Sequence, residues 1–421
     1  MSTGRRPPTL LDPLRQPGFR RLAGGRMANY FANAMAPIVL SFAVIDLTGS
    51  VVDLGIVVGA RSVANVVLLL LGGVVADRLP RKLVLQGASW AAAAAQAAIA
   101  VSVLLGFASV PILVVLSVVN GTVSALSLPA AAALVPQTVP QAMIRPANAV
   151  ARMAINAGTV IGASAGGMLV GTVGPGWGIA ANAGVFLLAG VCFAGIRVPP
   201  AEPSDGPRAH PLTELREGWA EFVSRTWVWV LVLQFLVINA VVAGGLQVLG
   251  PTVADRSFGR TTWGLLLAAQ TAGALVGGIV AARTRPSRAL LLGSAVGVFE
   301  ALPLLALATT SDPVLLVPAM AANGIALEQL AVGWDVSLQE NIPPERLARV
   351  YSYDALGSYL AIPAGELAAG PLALRAGVHS TLLIGAALVV AATAAALCSR
   401  SVRTLTVRPA SPQPTADDMA P

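Results

Sequence analysis

Charge is scarce in this chain. Only 11% of its 421 residues are charged while 56% are hydrophobic, and the mean hydropathy is +0.75. A soluble globular protein carries about a quarter of its residues as charges, so that class is excluded. Lysine is scarcer still. Lys82 stands alone and is followed by Leu83, so no Gly-Lys-Ser/Thr phosphate loop exists and an ATP-driven pump is excluded. The only histidines are His210 and His379, both in loops and outside any His-Glu-x-x-His pattern. A membrane-embedded enzyme therefore lacks its catalytic cluster, and no metal site or cofactor is expected. The two cysteines, Cys192 and Cys398, fall near the ends of apolar segments on a reducing face. Small buried hydrophobes are the expectation there, not a disulfide.

What the chain has in abundance is long apolar runs. They fall at about 22–47, 51–76, 83–107, 111–135, 148–173, 177–197, 224–250, 262–283, 288–309, 313–337, 350–374 and 377–400. Each is long enough to cross a bilayer as a helix, which takes about 20 residues. The expected fold class is an all-α membrane protein of twelve transmembrane helices. The net charge of +7 then has to be placed along the chain. Arg5, Arg6, Arg15, Arg20 and Arg21 precede the first run; Arg400, Arg403 and Arg408 follow the last; most others fall in the even-to-odd loops. Only Arg256, Arg260 and Arg375 lie on the opposite side, with Arg26 and Arg61 inside spans. That asymmetry predicts a multi-pass protein of the bacterial plasma membrane with both termini cytoplasmic, and the charge calls for no nucleic-acid partner.

The halves repeat. Gly73-x-x-Ala76-Asp77-Arg78 returns 205 residues later as Gly278-x-x-Ala281-Ala282-Arg283, and Val139-Pro140-Gln141 returns 203 residues later as Ile342-Pro343-Pro344. Near-constant spacing of charged, proline and small positions predicts two pseudo-symmetric six-helix bundles. The expected organisation is a cytoplasmic leader (1–21), an N-terminal bundle (22–197), a linker (198–223), a C-terminal bundle (224–400) and a disordered tail (401–421). The leader has no apolar core and is not a signal peptide. In the proline-rich linker, Leu212, Leu215, Trp219 and Phe222 recur at helical spacing, which predicts an amphipathic helix on the inner surface.

Between the second and third runs stands Gly72-Gly73-Val74-Val75-Ala76-Asp77-Arg78-Leu79-Pro80-Arg81-Lys82. This stretch resembles the short cytoplasmic loop between helices 2 and 3 of the major facilitator superfamily, with Gly73, Asp77, Arg78, Arg81 and Lys82 in place. Pro80 replaces the usual glycine, as in the branch of macrolide-efflux and siderophore-export permeases. Span five carries Gly158-x-x-x-Gly162-Ala163-x-x-Gly166-Gly167, similar to a run of drug-proton antiporters in which proline stands where Ala163 does. Close packing through small residues accounts for the same run without any exporter role. The resemblance implies alternating access and a substrate cavity lined by spans one, four, seven and ten. It also implies export of a moderately hydrophobic small molecule (drug, siderophore or secondary metabolite) by proton antiport, by a monomer in the lipid bilayer. Import of a metabolite, or a non-transporting receptor or scaffold on the same fold, remains the alternative.

Polar residues within the spans supply the candidates. Spans one, four, seven and ten hold Asn29, Asn33, Asn120, Gln234, Asn239, Asn323 and Gln329, together with Gln247. For a single such amide an interhelical hydrogen bond, worth about 0.6 kcal/mol, is the plainer reading. Ionisable groups at depth are rarer because each costs at least about 3 kcal/mol at the bilayer centre. Arg61, Glu300, Glu328 and Glu366 qualify. Glu328, on span ten, is the first expected proton carrier and Glu366 the second; Glu300, on span nine, is expected to be structural. The usual antiporter arginine of span four is missing, for Val114 to Ala133 holds no charge. Arg61 and Glu366 lie at similar depth on spans two and eleven, which face one another in the superfamily. They are expected to form a gate ion pair.

Asp77 is expected to meet the N-terminal dipole of span eleven, near Val350, when the cytoplasmic side shuts. Such a contact is worth about 0.3–1 kcal/mol at an exposed site. Asp77→Asn should insert and fold normally yet transport more slowly; normal flux at matched membrane abundance would remove this loop from conformational control.

Overall fold

Apolar residues with no water to bond must satisfy their backbone internally, and helix is the single-segment solution. The computed structural model describes residues 9–76, 81–196, 219, 222–284 and 286–406. Twelve long helices run through them: α1 (Pro17–Thr48), α2 (Val51–Ala76), α3 (Arg81–Leu104), α4 (Val110–Thr138), α5 (Ile144–Val173), α6 (Pro175–Ala194), α7 (Thr226–Arg256), α8 (Arg260–Arg283), α9 (Ala289–Thr309), α10 (Pro313–Asn341), α11 (Pro344–Ala376) and α12 (Val378–Cys398). Among the described residues, 10 of these helices are long and apolar enough to cross a membrane. α11 falls short by composition, since Glu345, Arg346, Arg349, Asp354, Glu366 and Arg375 interrupt it. Its length is nevertheless that of a spanning helix, and it lies in the middle of the assembly.

Two helices are broken where the sequence supplies a reason. α7 passes through a π-helical turn at Ala243–Leu249, where Gly244 and Gly245 let α11 and α9 approach its backbone. α9 narrows to a 3-10 turn at Gly297–Ala301, just ahead of Pro303, and that turn carries Glu300. The first helix starts at Pro17, several residues before the apolar run itself. Of the expected linker helix, Trp219 and Phe222 are described. They stack at 5.7 Å, and both rings meet Tyr353 of α11. The rest of the linker, the leader before Thr9 and the tail after Thr406 lie outside the described residues.

Packing repeats as the sequence does. In the first half α1 lies on α5 and α6, α2 on α4, and α3 on α4 and α6. In the second, α7 lies on α11 and α12, α8 on α10, and α9 on α10 and α12. The halves meet through α2 on α11 and α5 on α8, which exchange under the same pseudo-symmetry. All the odd helices begin at the end of the bundle that holds both termini, called here the termini side; the far side carries the α1–α2, α7–α8 and α11–α12 turns.

The glycine run of α5 is the packing device for both contacts. Gly158 and Gly162 sit on the α1 carbonyls of Met27 and Phe31, and Gly167 sits on Gly264 of α8. The second half copies this, with Gly365 on the Ala240 carbonyl of α7 and Gly370 on Val52 of α2. Both copies stand 203 residues from their originals. Backbones in such contact leave no room for a Cβ. Gly162→Val and Gly365→Val should therefore each lower thermal stability by about 1–3 kcal/mol of overpacking. Gly167→Val should instead loosen only the far-side contact between halves. A stability scan together with far-side cysteine crosslinking distinguishes the two outcomes.

Candidate functional site

Between the halves lies a cavity of about 330 Å³ with walls from α1, α2, α3, α4 and α6 of the first half and α7 and α11 of the second. Its charged members are Arg26, Arg61 and Glu366. The Arg61 guanidinium is held from within its own half. Nε donates to Asn120 Oδ1 at 2.9 Å, and Nη2 donates to Asn33 Oδ1 at 3.1 Å. Asn33 in turn accepts from Ser124 Oγ at 3.1 Å and donates to the carbonyl and side chain of Asn29. α1, α2 and α4 are thus tied by one polar cluster around a cation that the bilayer would otherwise penalise.

Glu366 enters the same cavity from α11. It is 1% exposed, the Ser62 hydroxyl and the Arg61 charge both act on its carboxyl, and its Oε2 has no hydrogen-bond partner. The expected gate pair is therefore brought into one cavity, but no direct ion pair joins it among the described contacts. The physical reason lies in the amides: Asn120 and Asn33 already take two of Arg61's donor nitrogens. An orphaned buried carboxylate oxygen on a residue that lines a cavity is the rare feature here, since buried polar atoms almost always find partners.

The other expected residues divide. Asn29 and Asn33 line the cavity, and Asn120 buttresses Arg61. Gln234 faces away from it, bonded to Ser294 and Thr393 and tying α7 to α9 and α12. Asn239 donates to the Ser358 carbonyl of α11. Asn323 is fully buried inside the second half, accepting from Gln270 at 2.6 Å and donating to Glu300 at 2.7 Å. These three are interhelical hydrogen bonds, the plainer reading of such amides. Asn120 and Asn323 stand 203 residues apart, and each accepts from a side chain of the helix packed on it, Arg61 of α2 and Gln270 of α8, although these two donors stand at different places in the repeat.

Glu328 is not in this cavity. With Gln329 it lines a separate cleft of about 1260 Å³ between α5 and α8–α10, where Arg152 of α5 acts on it. α10 thus turns these two residues toward α8, with Gln329 donating to the Gly277 carbonyl. Of the loop between α2 and α3, Gly73 belongs to α2 and Arg81 and Lys82 open α3, while Asp77 and Arg78 lie outside the described residues.

Sequence reasoning passed over two sets of residues. Arg26 and Tyr30 line the cavity together on α1, and the Nε of Arg26 is buried without a partner. An arginine inside an apolar run was the available signal. The second set closes the far side. Arg260, the first residue of α8, takes Asp46 of α1 in a two-pronged ion pair, with Nη1 at 2.9 Å from Oδ2 and Nη2 on Oδ1. Its Nε donates to Asp255 of α7 at 2.7 Å, and its guanidinium lies 5.1 Å from the Phe42 ring centre. Asp46 and Asp255 both lie near the far-side ends of their helices, α1 and α7. One cation thus clasps both halves.

The repeated six-helix packing, the exchanged α2–α11 and α5–α8 interfaces and a charged cavity between the halves agree with the comparison of sequences: the profile of the Major Facilitator Superfamily matches residues 22–366. The chain belongs to that superfamily. Among curated relatives it is similar to the enterobactin exporter EntS of Escherichia coli and of Escherichia fergusonii, each 27% identical over 300 residues, 68% of this chain and 71% of the relative. Its fold is that of the nucleoside transporter NupG, with TM-score 0.71 and 14% identity over 92% of this chain and 99% of that one. A bacterial homologue of the human lysosomal transporter Spinster, in an inward-facing and unoccupied conformation, matches at TM-score 0.70 and 17% identity, covering 93% and 98%. This is a multi-pass membrane transporter of that superfamily.

The clasp yields a direct test. Asp46→Asn removes the charge that crosses between halves, leaving Arg260 with Asp255. Losing an ion pair of this kind costs up to about 1 kcal/mol, roughly a fivefold shift between two states. Spin-label distances across the far side should lengthen in a larger fraction of molecules, and high salt should mimic the variant; an unchanged distance distribution removes the clasp from gating.

Proposed function

We propose that this transporter exports a moderately hydrophobic small molecule from a bacterial cytoplasm by proton antiport, as a monomer, with the termini side facing the cytoplasm. The observation that carries the reading is Glu366, a residue lining a cavity between both halves whose buried Oε2 has no partner. A carboxyl so placed can hold a proton in one state and release it in another, and its helix, α11, packs against both α2 and α7, which belong to different halves. The far-side clasp and the two-half cavity together describe one end of an alternating-access cycle. In that cycle proton and substrate each bias the equilibrium by their differential affinity for the two states. The export of enterobactin by the similar EntS proteins supports the outward direction. The cleft position of Glu328 makes it a partner for Arg152 when the halves close on the termini side, so Glu366 carries the coupling and Glu328 does not.

Uncoupler-sensitive export of a panel of fluorescent hydrophobic compounds from cells tests this. Glu366→Gln keeps the size and a hydrogen-bonding capacity but cannot carry the proton. Uphill export should fall by at least about tenfold, within the usual 1–3 kcal/mol of coupling free energy. Glu328→Gln should retain sensitivity to the uncoupler. Export in Glu366→Gln that still responds to the proton gradient places the coupling elsewhere, and accumulation instead of depletion reverses the direction.

A further inference from the structure

The cavity leaves two polar atoms unserved at different walls. On α11 the Glu366 Oε2 lacks a donor, and on α1 the Arg26 Nε lacks an acceptor. Both residues line the same space. Glu366 is almost wholly buried, so no bulk water serves its oxygen. The unfilled demand is thus one donor and one acceptor, set on opposite halves of the protein. Tyr30 and Tyr359, with Phe193, supply aromatic walls between them. Two arginines stand against one carboxyl in this space, so a cation entering it meets net repulsion whenever Glu366 is protonated and no net attraction when it is not. The volume of about 330 Å³ is at the small end of ligand sites.

We propose that the transported ligand is a non-cationic, planar molecule that donates a hydroxyl or N–H to Glu366 Oε2 and accepts from Arg26 with a carbonyl or similar oxygen at its other end. This rests on the export reading above and deepens it. The ligand's donor and the transported proton then compete for one carboxylate oxygen, which is the requirement of antiport at a single site. A ligand seated this way also bridges α1 and α11, one from each half, so its departure removes a tie between them. The groups facing Glu366 are Arg61 from α2, Arg26 and Tyr30 from α1 and Tyr359 from α11 itself. From α7 comes the uncharged Gln247, and that helix carries no charge between Thr226 and Ala254. α12 holds titratable side chains only at its ends, His379 and Cys398. α10 contributes Glu328, which lies in the other cleft. Nothing else charged at this depth competes with the carboxyl for the ligand's donor.

Three probes of near-equal size separate the requirements: methyl 4-hydroxyphenylacetate has both the donor and the acceptor, methyl 4-methoxyphenylacetate lacks the donor, and 4-hydroxyphenethylamine is a cation. Binding to the full chain in nanodiscs is followed by saturation-transfer NMR. The hydroxy ester should bind at least about tenfold tighter than the methoxy ester, as expected of a site built around a hydrogen bond. It should also bind tighter than the amine. Its affinity should fall as the pH is lowered from about 8 to about 5, because the proton taken up by Glu366 competes with the ligand's donor for the carboxylate and leaves a weaker, uncharged acceptor. Glu366→Gln should bind the hydroxy ester without that pH dependence, whereas Arg26→Gln should weaken it by about tenfold and keep the pH dependence. Equal binding of the two esters, or preference for the amine, overturns the proposed chemistry. If that happens while uphill export in Glu366→Gln is still lost, the ligand assignment fails alone. If pH-dependent binding and Glu366-dependent export are both absent, the antiport reading fails with it.

Discussion

The cost of leaving a polar group unpaired in an apolar surround governs this molecule at every scale. It forces the backbone into helices, because only internal bonds are available to each segment. It forces the few buried side-chain charges into arrangements that can be enumerated, because each must be solvated by the protein itself. Arg61 is solvated by two asparagines, Glu300 by a third, and Arg260 by two aspartates and an aromatic face. The clasp at Arg260 and the amide cluster at Arg61 are two solutions to one problem, the first at the rim of the bundle and the second inside it. Among the described residues, only the rim solution crosses between halves through a direct ion pair, Arg260 with Asp46. A contact at the rim can part into water at little expense, whereas one at the centre cannot. The distribution therefore fits a molecule whose halves must separate.

Against that background the repeat explains both likeness and difference. Gly162 and Gly365, Gly167 and Gly370, and Asn120 and Asn323 stand at one spacing, and each pair makes the same kind of contact. Packing is thus inherited twice, and it sets where α2 and α8 cross their neighbours. The charges are not duplicated. Arg26, Arg61 and Arg152 belong to the first half, while Glu300, Glu328 and Glu366 belong to the second. Where α2 presents Arg61 to an asparagine, α8 presents the neutral Gln270 to its counterpart. Away from the rim, the two copies of one scaffold thus place charges of opposite sign in the two clefts between them. That polarity favours approach of the halves over slippage within either one.

How far the sequence was legible follows from the same physics. Helix number and order came from apolar runs, because hydropathy is a local property summed over about 20 residues. The α5 glycines were legible as a packing face, and Arg61 and Glu366 as neighbours in one space. What stayed hidden was side-chain direction, which a helix fixes only through its rotation against its neighbours. Glu328 sits on a helix expected to line the cavity, yet α10 is turned so that Glu328 meets α8 and α5. Gln234 sits on another such helix and points to α9 and α12 for the same reason. The clasp was missed differently. Asp46 lies near the end of an apolar run, where a charge is unremarkable in isolation, and its significance appears only when α7 and α8 bring Asp255 and Arg260 beside it.

The two expectations at Arg61 and Glu366 resolve into one arrangement with a further consequence. A direct pair would neutralise both groups and bury them at once, leaving the cavity with Arg26 alone. The amides of α1 and α4 prevent this by holding Arg61 on its own side, at a distance from which its charge still acts on the carboxyl. Glu366 thereby keeps its Oε2 free of any hydrogen-bond partner. A carboxylate locked in a direct ion pair would resist protonation and a ligand alike, while one with no cation nearby would remain protonated throughout. The intermediate placement permits exchange between the two forms. Asn33 and Asn120, neither of which bears a charge, set that placement by fixing where the guanidinium rests.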